Sequence, residues 1–299
     1  MRISLRICSL LCTTMLMTSF CAYGQLTHFK NIDGPTLFPL GINSTGALAG
    51  YYCCGFDNFL NLVDQGFLLL GDGAFRTIQP TGTSGFVSGI NKKSMLVGGY
   101  CDTLNCASLV GQHGFMLAGL SLGGGFTVID YPGALSTVAD GINSANQIVG
   151  TYCAHVGTCL FQHGDHGFLD DNGVFTAIDF PGGVLTSENG INDAGQIVGS
   201  YNSQGKTHGF LLSAGVYTTI DPPGTSLTNA EGINNSGEIV GTYLDTSNHE
   251  HGFMYVGGVY TTIDRPGATS TSADGVNDAG TVVGTASNAT QVHGYTAKP

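Results

Sequence analysis

Tryptophan is absent from the 299 residues, proline numbers only 9, and charged side chains make up 10% of the chain. Each shortage excludes something. Few prolines and no G-X-Y rhythm exclude collagen. Charge is far below the about 25% of an ordinary soluble domain, yet a hydrophobic share of 42% is too high for a disordered chain. Beyond residue 24, no apolar run approaches the roughly 20 residues of a membrane helix, so no membrane span is expected. G-x-S-x-G, H-E-x-x-H and the P-loop pattern are all missing. What charge there is has mostly one sign, 21 acids against 9 bases. A surface of that sign repels phosphate backbones, which argues against nucleic acid as a partner.

Glycine is the abundant residue, with 47 copies against a usual share of about 7%. It weakens helix interiors and suits turns, so the chain is expected to be all-β. Residues 1–24 have the form of a signal peptide: Arg2 and Arg6, an apolar stretch from Ile7 to about Phe20, then Ala22-Tyr23-Gly24 as a small-x-small cleavage site. Phe20 is too bulky for a lipobox at Cys21. Losing both leader arginines takes the net charge from −12 to −14. Six cysteines remain, an even number suited to a secreted or periplasmic protein.

One phrase recurs six times along residues 25–299: Gly41-Ile42-Asn43, Gly89-Ile90-Asn91, Gly141-Ile142-Asn143, Gly190-Ile191-Asn192, Gly232-Ile233-Asn234 and Gly275-Val276-Asn277. Each is followed by a variant of His-Gly-Phe, such as His208-Gly209-Phe210, and most by a variant of Tyr217-Thr218-Thr219-Ile220-Asp221. Periods of 42 to 52 residues indicate propeller blades or repeat arrays. In the fifth unit the alternation predicts strands over about 229–234, 238–244, 251–256 and 259–264. The turn between the first two carries Gly237 at a left-handed position; Gly257-Gly258 makes the last turn. The mature chain opens on a fourth-strand phrase, Phe29 to Asp33, and ends on a third-strand phrase, His293-Gly294-Tyr295. A ring closed by pairing these ends needs that offset. The expected fold is therefore a six-bladed β-propeller of four-stranded antiparallel blades, a single domain and a monomer, with Asp33 beside His293.

The G-I-N-x-x-G-x-I-V-G-x-Y stretch, best seen over Gly190–Tyr201 and Gly232–Tyr243, followed by His-Gly-Phe, resembles the extracellular HAF-repeat family. His-Gly-Phe stands here where that family's name implies His-Ala-Phe. The resemblance covers about Phe29 to Tyr295 and implies a repeat-built extracellular protein, with no activity attached. The layout also resembles WD40 propellers, without their Trp-Asp signature.

Several residues are candidates for function. The residue before each G-I-N phrase lies on the strand nearest the central channel: Leu40, Ser88, Asp140, Asn189, Glu231 and Asp274. Asp140, Asn189, Glu231 and Asp274 could hold a cation such as Ca2+, or a polar ligand, at the channel mouth; solvated side chains between blades are the plainer alternative. His155, His163, Asp165 and His166 form a possible metal set on the third unit's long loop. Cys101–Cys106 and Cys153–Cys159 are expected to form disulfides that clip their own loops, while Cys53 and Cys54 are adjacent. A Tyr–His–Asp trio recurs at the loop-rich blade ends, including Tyr201, His208, Asp221 and Tyr243, His251, Asp264. Blade one carries Gln65 and Gln79 instead, a paired exchange that suggests contact. Repetition around the ring marks the trio as an architectural network rather than one active site. Tyr51, Tyr52, Phe56 and Phe59 could offer a weak stacking surface. The sequence is thus that of a secreted, non-enzymatic propeller that binds an extracellular ligand, glycan or protein. The alternative is an extracellular polysaccharide lyase or hydrolase using a Tyr/His/acid site on the loop-rich face.

Overall fold

A computed structural model describes residues 26, 28–32, 37–54, 63–80, 84–101, 111–118, 126–154 and 166–298. The leader, Asp33, Phe56, Phe59, Cys106, His155, Cys159, His163 and Asp165 lie outside the described residues.

Every regular element described is a β-strand. The first unit is an antiparallel meander of Leu37–Ile42, Leu48–Cys54, Val63–Leu69 and Phe75–Ile78. The second repeats it with Gly85–Ile90, Met95–Cys101, Gln112–Ala118 and Thr127–Ile129, and the third with Ser136–Ile142, Gln147–Cys153, His166–Asp171 and Val174–Ile178. The fourth comprises Val184–Ile191, Ile197–Ser203, Lys206–Ser213 and Val216–Ile220; the fifth comprises Leu227–Ile233, Ile239–Leu244, Glu250–Val256 and Val259–Ile263. One parallel pair, Thr207 with Leu227, links these two into a single sheet. The last sheet contains Ser270–Thr271, Gly275–Val276, Val282–Ser287 and Val292–Ala297, and it takes up Lys30–Asn31 as an outer strand. Lys30 faces Thr296, and Ile32 N–H donates to Gly294 O at 3.1 Å.

The repeated phrases have distinct packing duties. The aromatic residue of His-Gly-Phe is fully buried in each unit, as Phe67, Phe115, Phe168, Phe210, Phe253 and Tyr295. The valine of the I-V-G phrase reaches into the next unit's core: Val149 packs with Ile178, Ile191 and Phe210, and Val198 with Ile220 and Phe253. Val283 of the last unit packs with Leu37, Leu48 and Phe67 of the first. Each apolar cluster therefore glues two neighbours, and burying such faces is the main stabilising term. The first strands converge so closely that a Cβ on Gly141 would stand 3.0 Å from Asn189 O. Glycine permits that approach.

The turn predictions hold in the fifth unit: Gly237 has φ +79°, and Gly257 and Gly258 have φ +56° and +96°. Its strands fall within two residues of the expected bounds.

Candidate functional site

The site begins with a β-bulge. Where the first strand pairs with the second, the ladder skips one residue in five units, between Pro39/Gly41, Val87/Gly89, Ala139/Gly141, Glu188/Gly190 and Ala230/Gly232. A bulge frees one side chain from the alternation and re-aims it. The skipped residues are Leu40, Ser88, Asp140, Asn189 and Glu231; in the last unit Asp274, at the same place, donates its N–H to Val283 O. The glycine opposite each bulge is required: a Cβ on Gly150 would overlap Val138 O, and one on Gly241 would overlap Asn229 O.

All six of these residues line one cavity of about 260 Å3. Beneath them the six Gly-Ile or Gly-Val pairs line a narrower stretch. The far end is gathered by the asparagines of the repeated phrase. Asn43 Nδ2 donates to Asn91 O, Asn91 to Asn143 O, Asn143 to Asn192 O, Asn192 to Asn234 O, Asn234 to Asn277 O, and Asn277 back to Asn43 O, all within 2.9–3.3 Å. This cycle of side-chain bonds passes from the end of the chain to its beginning.

Burial sets the electrostatics of the wide end. Desolvation pushes the carboxyls of Asp140 and Asp274 well above the usual carboxylate range, and the charge of Glu231 adds to this. Ser272 Oγ, donating to Asp274 at 2.9 Å, opposes the rise there. Glu231 itself is pushed up to about 7, chiefly by burial and then by Glu250. Asn189 is partly committed elsewhere, since its Nδ2 donates to Ala230 O at 2.9 Å. Among the described residues no three His, Cys, Asp or Glu side chains gather closely enough to hold a metal ion.

At the rim the trios take a definite form. His113, His166, His208 and His251 pair through Nδ1 with Asp130, Asp179, Asp221 and Asp264 at 2.8, 3.1, 2.6 and 2.8 Å. The tyrosine stacks on the histidine ring, with centroids 5.0–5.3 Å apart. Its hydroxyl goes elsewhere: Tyr201 meets Thr219 Oγ1 at 2.9 Å and Tyr243 meets Thr262 Oγ1 at 3.0 Å. One expectation needs correction. Gln65 accepts from Tyr52 Oη at 2.6 Å and makes no bond with Gln79. His293 meets Gln291 Oε1 through Nε2 at 3.1 Å, and Asp33, expected beside it, lies outside the described residues. Of the third unit's metal set, His166 alone falls among the described residues, and its Nδ1 pairs with Asp179. Cys101 and Cys153 are buried and in disulfide-bonded form; their expected partners Cys106 and Cys159 lie outside the described residues.

Glu188 escaped sequence reasoning. Its side chain is fully buried, and neither carboxyl oxygen has a hydrogen-bond partner. A Cβ on Gly167 would overlap that carboxyl. The other units place Pro39, Val87, Ala139, Ala230 and Ala273 at this position. An acid in a register otherwise apolar was the available signal.

No protein-family model matches the chain, and no curated protein matches it. Solved structures do. TolB from Acinetobacter baumannii superposes with a TM-score of 0.58 at 11% identity, over 84% of this chain and 63% of TolB. The β-propeller domain of the Trilobed protease from Pyrococcus furiosus, described as having an open velcro topology, gives 0.52 at 13%, over 91% and 84%. A mutant of AofleA from Arthrobotrys oligospora gives 0.54 at 12%, over 89% and 86%. At these identities the likeness establishes the fold alone: this chain is a β-propeller.

Proposed function

We propose that the protein is an exported six-bladed propeller, closed by its N-terminal strand, that binds an extracellular ligand at the wide end of its channel without transforming it. Closure is supported by the Lys30–Thr296 pairing, the Asn277-to-Asn43 bond and the packing of Val283 on the first unit. Export, a monomeric state and kinship with HAF-repeat proteins rest on the sequence features above. The carrying observation is that the residues before the repeated Gly-Ile-Asn or Gly-Val-Asn phrase in all six units line one cavity. The repeated rim trios, by contrast, are tied up in local pairs. Asp140, Glu231 and Asp274 are the residues expected to touch the ligand. A combined glycan and small-molecule screen of the mature protein tests the reading. Ligands found should lose binding in the D140N/E231Q/D274N variant with its melting temperature retained. Ligands that bind this variant unchanged would place the site elsewhere.

One observation favours the enzymatic alternative. His208 and Asp221 line an open cleft of about 250 Å3 together with Lys206 and the Pro222–Ser226 loop. A two-residue turn, Gln204-Gly205, leaves this pair uncovered. In the fifth unit Asp245 approaches His251 Nε2 at 3.7 Å instead. Release of reducing ends or unsaturated products from a polysaccharide, abolished by H208Q at retained melting temperature, is the result that would establish this reading.

A further inference from the structure

The wide end of the channel is not symmetrical, although the repeat is. Two registers feed it, and both set units one and two apart from units five and six, while unit three adds Val138 and Thr151 and unit four Asn189 to the wall. In the bulge register, units one and two contribute Leu40 and Ser88, whereas units three, five and six contribute Asp140, Glu231 and Asp274. The second register lies two residues earlier and is read together with its cross-strand partner. In unit one Phe38 faces Tyr51, the rings stacked with centroids 4.8 Å apart. In unit two Phe86 lies over Gly99, where a Cβ would stand 2.9 Å from the ring. In units four to six the same pairs are polar: Ser187 with Ser200, Asn229 with Thr242, and Ser272 with Thr285.

The cavity therefore has an aromatic side, with Tyr51 and Phe86 on its wall, and an acidic side with three carboxyls. Ser88 Oγ, on the same wall, is shielded from solvent and has no hydrogen-bond partner. At about 260 Å3 the space exceeds the roughly 150 Å3 that accommodates a benzene ring. A bare metal ion would use neither the volume nor the aromatic wall. An organic ammonium would use both: carboxylates in a site of low dielectric attract the positive end, and aromatic faces favour a cation or the apolar group beside it.

We propose that the channel mouth binds a small organic ammonium whose apolar part lies against Tyr51 and Phe86 and whose charge faces Asp140, Glu231 and Asp274. This rests on the channel mouth being the binding site, and it names the ligand class.

The test is calorimetric titration of the mature protein with 2-phenylethylammonium, methylammonium, 2-phenylethanol and Ca2+. The aryl ammonium should bind at least tenfold more tightly than either the alcohol or methylammonium. E231Q and F86L should each weaken it several-fold at unchanged melting temperature. Equal affinity for the alcohol, or tighter binding of Ca2+ alone, would overturn the ammonium assignment. A ligand of another class that binds and is lost in D140N/E231Q/D274N would overturn this inference and leave the channel-mouth reading intact. Aryl ammonium binding that survives the triple variant would remove both.

Discussion

At the scale of single residues, Glu188 is the clearest departure from the template. A buried polar group without a partner costs about 1–3 kcal/mol in protein variants. Glu188→Ala copies the alanine of units three, five and six, so it should stabilise the fold by roughly 1 kcal/mol at pH 7 after the loss of packing. The sign with pH follows from burial, then from the nearby charges of Asp179 and Asp140, which hold this carboxyl well above its ordinary 4.5. A raised acid adds no ionisation cost where it is protonated in both folded and unfolded chains, and that added cost grows as pH rises toward its folded value. The gap in melting temperature between E188A and the parent should be smallest near pH 4 and widen upward; a gap constant from pH 4 to 8 would contradict an unpartnered buried acid. His208→Ala tests the rim in the same way. Losing the 2.6 Å bond to Asp221 and the stack on Tyr201 should cost about 1 kcal/mol, discounted for partial exposure, with ligand affinity at the channel mouth unaltered.

At the scale of elements, the asparagine turn and the bulge are the working parts. Asn192 Oδ1 accepts from the N–H groups of Ala194 and Gln196, at 3.1 and 3.0 Å, which fixes the turn. Its Nδ2 donates to Gln196 Oε1 and across to Asn234 O. Asn192→Ala removes all four bonds at a buried position and should cost about 3 kcal/mol. Asn192→Asp keeps the turn acceptor but sets a carboxylate oxygen against Gln196 Oε1 and Asn234 O, so its loss of melting temperature in differential scanning calorimetry reports the donor end of the side chain, repulsion included. The bulge was not read from the sequence, but its sign was there. A glycine recurs on every second strand, at Gly50, Gly98, Gly150, Gly199, Gly241 and Gly284, and none of them sits at a turn. A glycine repeated inside a strand marks a close backbone approach.

At the scale of the whole molecule, closure and charge carry the remaining predictions. If the six units form a closed ring, Asn277→Asp should destabilise at least half as much as Asn192→Asp, because Asn277 Nδ2 makes the one junction bond whereas Asn192 Nδ2 makes a junction bond and a local one. An effect at 277 less than half of that at 192 would mean that the chain ends separate readily. Cation binding at the channel mouth should strengthen as pH rises from 6 to 8, since Glu231 loses its proton near 7 and Asp140 and Asp274 are also held above the usual range. Isothermal titration across that interval checks it, and affinity independent of pH would remove these acids from the contact.

The amino-acid sequence by itself determined the repeat, the strand order within each unit, the offset of the chain ends and the positions facing the channel. All of these are local or periodic, and a copied phrase announces them. Only the tertiary structure decided which of those residues share a cavity, how the asparagines join across units, and that Tyr51 and Phe86 share one cavity with the acids. The reason is geometric. Neighbouring copies of one phrase are 42 to 52 residues apart in the chain, yet they meet at bond distance around the axis. A side chain's partner across that axis has no fixed spacing in sequence. Glu188 makes the same point: its identity was plain, but its lack of a partner depends on everything folded around it.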